Sequence, residues 1–218
     1  MSLYDITPGK PNFQGKPPRI TNPPDSTDSL PEPISNIISI LEKVKDGRNI
    51  SISDLIKKEF GRDKDFHPIN TTLFWYRGYL LHSNLRMTSD ETSEKLRFVN
   101  DLKISCAPKL IQHIQIDSFK SATILYYSNC EEKMPLKYID FENNERKVTK
   151  EAKERFLNDA ITLLNNGVIH PFFLKGPEHW YIDQNGNILL DSWDMLEKMG
   201  SYNNDKAIQM IRKHLELT

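Results

Sequence analysis

Cysteine is scarce. Cys106 and Cys130 are the only two in 218 residues, which excludes a disulfide-stapled scaffold. Neither lies in the paired Cys/His spacing of a zinc site, and a reducing cytoplasm is the compartment such usage fits. No stretch approaches the roughly 18 apolar residues of a spanning helix. Met1–Ile6 also lacks a basic region followed by an apolar one. No membrane span is therefore expected, and localisation is cytoplasmic or by export without a classical signal peptide. An excess of charge of one sign is missing too. Lys and Arg total 29 against 30 Asp and Glu, so the net charge of -1 offers no general attraction to nucleic acid or an anionic membrane.

Proline, by contrast, is concentrated. Eight of the 13 prolines (Pro8, Pro11, Pro17, Pro18, Pro23, Pro24, Pro31 and Pro33) precede Asn36. Each removes a backbone donor, and the segment has few large apolar side chains to offset its ordering entropy. Residues 1–33 are expected to form a disordered or extended tail, a linker or a docking address, followed by a single domain over 34–218.

That domain reads as α+β. Ile34, Ile37, Ile38, Leu41 and Val44 recur at helical spacing, and a second helix is expected from Ser53 as N-cap to Phe60 before Gly61. Thr71–Met87 reads as two strands bending at Arg77-Gly78. Thr88–Glu91 has the form of a capping box, ahead of a helix to about Leu102. Leu110–Ile116 and Ala122–Tyr127 read as a strand pair joined at Asp117-Ser118. Thr149 opens the clearest helix, with Ala152, Phe156, Ala160, Leu163 and Leu164 on one face and Gly167 as its stop. Tyr181–Leu190 reads as a hairpin about Asn185-Gly186, and the helical remainder takes in Leu196 and Asn204–Leu217.

This order of strands, helix, strand pair, long helix, His loop, hairpin and Asp resembles the protein-kinase-like fold, including small relatives such as aminoglycoside phosphotransferases. The resemblance covers roughly Thr71–Met199. It implies a small β-rich N-lobe (about 34–128) and a mainly helical C-lobe (about 129–218). His170 falls at the His of the family's His-Arg-Asp motif, and Asp191-Ser192-Trp193 falls at Asp-Phe-Gly. A kinase positions its acceptor hydroxyl with a carboxylate, holds metal with Asn and Asp, and neutralises phosphate charge with Lys.

Most of those groups are missing. Pro171 and Phe172 stand where Arg and the catalytic Asp are expected, and Glu178 or His179 stands at the metal-binding Asn. No Gly-rich loop precedes the helix, and Thr71–Leu85 contains Arg77 but no Lys. Glu94 is the helix carboxylate that would have paired with such a Lys. Asp191 alone survives in place. The resemblance therefore implies a catalytically impaired, pseudokinase-type binding or regulatory protein whose partner is another protein. No cofactor is certain. The resemblance leaves room for a nucleotide with Mg or Mn in a cleft lined by Asp191, His179 and Glu178, with Asp191 and Glu178 as metal ligands.

A second reading takes Cys106, His179 and Asp191 as the nucleophile, base and orienting acid of a small cysteine hydrolase or deamidase. It resembles papain-like and transglutaminase-like enzymes, where a neighbouring imidazole activates a thiolate. Cys130, followed by Glu131 and Glu132, is the poorer nucleophile. A third reading is an interaction or immunity-type protein with no catalytic site. His67, His82, His113 and His214 are scattered and carry no motif.

Overall fold

The computed structural model describes residues 30–44, 51–84, 89–117, 120–137, 147–198, 200 and 203–217. Residues 1–29 of the expected tail and the residues linking Asp117 to Lys120 lie outside them, whereas Glu32 and Pro33, expected in the tail, already belong to the first helix, where a proline at the second position has no N–H bond to lose. Helix α1 (Glu32–Lys43) starts behind Pro31, and its Ile34, Ile37 and Leu41 are buried at helical spacing. Helix α2 (Ile52–Phe60) is capped by Ser51, whose hydroxyl accepts the Asp54 N–H at 3.2 Å. The cap thus lies two residues before the expected Ser53. The Ser53 hydroxyl instead donates to the Thr71 carbonyl at 2.8 Å, a contact outside its own helix.

Both helices cover one face of a five-stranded antiparallel sheet ordered β1-β2-β3-β5-β4. Its strands are β1 (Phe66–Pro68), β2 (Leu73–Tyr76), β3 (Tyr79–Asn84), β4 (Lys109–Gln115) and β5 (Ser121–Tyr126). Alternation along β2 sends Phe74 and Tyr76 to the helix-covered face and Trp75 to the other. The β2–β3 bend falls at Arg77-Gly78 as expected. Both residues have positive φ (44° and 84°), the geometry that matches strand twist in a two-residue turn. A Cβ on Gly78 would also lie 3.1 Å from the Tyr127 carbonyl, a tight contact added to the strain of φ 84°, so the turn favours glycine here.

Helix α3 (Ser89–Asp101) crosses to a second core, where its Leu96 and Val99 meet Phe156 and Leu163 of α4 (Lys150–Asn165). Thr149 caps α4 by accepting the Ala152 N–H at 3.1 Å. Beyond α4 come β7 (Val168–Ile169), α5 (Phe172–Lys175) and a 3-10 turn, Pro177–His179. The hairpin follows as β8 (Tyr181–Ile182) and β9 (Ile188–Leu189), with β6 (Leu136–Lys137) flanking β8. The chain closes with β10 (Glu197–Lys198), paired to β7, and α6 (Asn204–His214). Leu196 precedes β10 rather than joining a helix.

The hairpin is shorter than its sequence pattern. Asp183, buried, turns its carboxylate onto the N–H groups of Asn185 and Asn187 and the Asn187 side-chain amide, closing the loop locally. Leu190 then leaves the ladder, because its N–H donates to the Cys106 carbonyl at 2.8 Å. The result is a mixed α/β molecule. Between its two larger cores a small cluster of Trp75, Tyr127, Cys130 and Leu189 is flanked by Leu80, Leu125 and Tyr181. Among the described residues no helix is long and apolar enough to cross a membrane.

Candidate functional site

The site is organised around His170, fully buried in the connection between β7 and α5. Its Nε2 lies 2.9 Å from the Asp191 carbonyl and 3.1 Å from that of Ser192. Carbonyls only accept, so Nε2 carries the proton. Nδ1 is then free to accept the Phe172 N–H at 3.2 Å. Both ring nitrogens are satisfied in the neutral form, and burial pulls the pKa from the ordinary 6.5 down to about 4. Phe172 and Trp193 meet the ring edge-on at 5.0 and 4.8 Å. The imidazole thus pins the Asp191-Ser192-Trp193 turn, in which Ser192 adopts the left-handed region (φ 55°) and Trp193 Nε1 donates to the Leu190 carbonyl.

Asp191, half-buried, points at phenols. The Tyr181 hydroxyl hydrogen-bonds its carboxylate, and the Tyr181 pKa is pushed up to about 12, first by burial and then by that negative charge. Tyr127, just past β5, is raised further by its own burial and by the same carboxylate. Its ring packs on Trp75 at 5.9 Å. Asp191 therefore faces the small aromatic cluster between the two cores.

Glu178 and His179 lie together in the 3-10 turn before β8, with 3.7 Å between Glu178 Oε1 and His179 Nε2. The His179 ring stacks on Phe172 at 4.6 Å and 17°. The structure thus brings Glu178 to His179 and Asp191 to Tyr181, and no described contact joins the two pairs. Among the described residues no three His, Cys, Asp or Glu side chains converge as metal ligands.

Cys106 is enclosed in the turn between α3 and β4, away from any helix N-terminus. Burial raises its thiol pKa well above the usual value, and the buried carboxylate of Asp159 raises it further. Asp159 Oδ2 accepts both the Cys106 N–H at 2.8 Å and the Ser105 hydroxyl at 2.7 Å. A protonated thiol beside an anion is the reverse of an activated nucleophile, and no described hydrogen bond joins Cys106 to His179. Alkylation by iodoacetamide at pH 8 is expected to be slower at Cys106 than at a free thiol by about 100-fold, rising to the free rate on denaturation. Peptide mapping checks this, and rapid native labelling would show an accessible thiolate.

Charged groups that the sequence did not single out also meet here. On α3 the inward residue is Lys95, not the exposed Glu94. Lys95 Nζ donates to the Asp194 carbonyl at 2.6 Å and pairs with Glu91 at 3.0 Å. Its position four residues before Val99, on the apolar stripe, was the available signal. On β3 the half-buried His82 is held below its ordinary pKa by burial, with the Asp194 carboxylate opposing. An imidazole and a helix-borne ammonium thus converge on the turn that follows Asp191.

No family model matches the chain, and no curated protein matches it in sequence. Among solved structures it is similar to the Cydia pomonella granulovirus kinase PK-1, at 12 % identity and a TM-score of 0.42. The alignment covers 67 % of this chain and 57 % of that one, so the chain spans little more than half of that kinase's length.

Proposed function

We propose that the chain is a protein-kinase-like domain without phosphoryl-transfer activity, acting as a pseudokinase-type module that binds and regulates another protein in a reducing, cytoplasmic compartment. In this reading residues 34–128 form the β-rich lobe and 129–218 the helical lobe. The observation that carries the proposal is the pair of hydrogen bonds from His170 to the Asp191 and Ser192 carbonyls. They join the two sequence positions on which the family resemblance rests. Next to that anchor the base position is occupied by Phe172, whose ring is packed between His170 and His179. Phosphoryl transfer depends on a positioned base and on cations at the phosphates. In this reading an apolar ring stands at the carboxylate's position, β3 carries no lysine, and the buried cation Lys95 is engaged with Asp194 and Glu91.

Asp191 remains the one residue suited to a metal-bound nucleotide, because hard cations prefer carboxylate oxygen. Occupancy of that kind competes with the Tyr181 hydroxyl. A ligand at 100 times its dissociation constant stabilises the fold by about 2.7 kcal/mol. Any rise in melting midpoint produced by ATP with magnesium or manganese is expected to vanish in Asp191→Asn. Equal shifts in the two proteins would place the ligand elsewhere and remove Asp191 from the site.

A further inference from the structure

A surface cleft of about 360 Å3 is lined by Asp65, His67, Trp75, Arg77, Glu131 and Glu132. Its single guanidinium is already engaged, since Arg77 Nε and Nη2 both reach Asp65 Oδ2 at 2.7 Å. Glu131 accepts the Tyr126 hydroxyl. Glu132 makes no hydrogen bond or ion pair among the described residues. Among the described residues, three carboxylates against one guanidinium leave the lining negative. An acidic groove has the chemistry that takes an extended basic peptide.

The chain carries such a peptide. From Ile6 to Asn22 it holds Lys10, Lys16 and Arg19 and no Asp or Glu. The spacing is regular: Lys10, Phe13, Lys16 and Arg19 are three residues apart, so a polyproline II helix of three residues per turn puts all four along one edge. Pro8, Pro11 and Pro17 fall along another edge and favour that conformation before any contact is made. We propose that the segment Lys10–Arg19 docks in this cleft of its own molecule, with Lys16 and Arg19 against the carboxylates of Glu131, Glu132 and Asp65. At about 3.1 Å per residue Lys16 and Arg19 are roughly 9 Å apart, close to the diameter of a sphere of the cleft's volume. The eleven residues from Arg19 to Leu30 extend to about 36 Å, against a radius of gyration of roughly 16 Å for a domain of this size.

The inference goes beyond the proposed function and does not rest on it, because its readout is protection of the tail and not transfer of phosphate. Amide exchange on the full chain at low ionic strength tests it. Wild type should show exchange at Lys16 and Arg19 slowed by about 10-fold or more relative to a free peptide, with the protection lost at high salt as the ion pairs are screened. Arg19→Glu, a change outside the domain, should bring the remaining tail amides to free-peptide rates. Arg19→Glu combined with Glu132→Lys should restore the slowing. Free-peptide rates in wild type would overturn the proposal, as would protection that survives Arg19→Glu or fails to return in the double variant. Protection that grows with protein concentration would assign the cleft to the tail of a second copy and overturn docking within one molecule.

Discussion

His170→Ala is expected to lower the stability of the protein by about 3 kcal/mol at neutral pH. The substitution leaves the Phe172 N–H without its acceptor and the Asp191 and Ser192 carbonyls without their donor, in a site from which water is excluded, and opens a cavity against Trp193. The loss should also depend on pH. The folded-state pKa, about 4, lies below the ordinary value of 6.5, so the fold binds the neutral ring and the unfolded chain takes up the proton first. The imidazole's contribution is therefore complete above about pH 6.5, declines as the pH falls, and is gone below the folded pKa, a change of about 3 kcal/mol. Asp194 and Lys175 act on the ring with opposite sign and change this little. Urea denaturation of both proteins from pH 7.5 to 4 should show the curves converging toward acid. Parallel curves would mean that His170 is not held neutral.

Asp159→Ala is expected to cost a similar amount, about 3 kcal/mol, or a melting point lower by roughly 6–12 °C for a chain of this length. Its carboxylate ties α4 to the turn that leads into β4, and the same turn receives Leu190 from the end of the hairpin. Removing the acceptor strands a buried Cys106 N–H. Both bonds go to one oxygen, so Asp159→Asn, which can present its amide oxygen there, should lose only about 1 kcal/mol. Equal losses for Ala and Asn would mean that the negative charge matters rather than the two hydrogen bonds. No loss for Ala would mean that the turn is held by other contacts.

Much of the architecture was legible where local chemistry decides it. Thr149 caps its helix, Arg77-Gly78 makes the bend, and the apolar stripe of α1 predicted its buried face. Ser51 and Ser53 are equally good caps in isolation, and only Ser53's bond to Thr71 from another element separates them. β1 is three residues ending in Pro68. It is held by pairing to β2 and by stacking of Phe66 between Phe60 and Phe74, none of which leaves a periodic trace. In the candidate site the sequence singled out His170 and Asp191, and the structure joins them through the hydrogen bond from His170 to the Asp191 carbonyl. What faces Asp191 could not be read. Tyr127 and Tyr181 reach it from separate elements, and Lys95 and His82 meet Asp194 across a wide sequence separation. Asp159 gave no signal either, since a polar residue on an apolar helix face gains meaning only from the donors brought to it.

The central claim, a kinase-like domain that does not transfer phosphate, is tested most directly by incubating the protein with labelled ATP, magnesium or manganese and a generic protein acceptor, beside an Asp191→Ala control. With an aromatic ring at the proposed base position and Asp191 turned toward Tyr181, the account predicts no more labelled product from wild type than from the control. Transfer by wild type that is abolished in Asp191→Ala would contradict it.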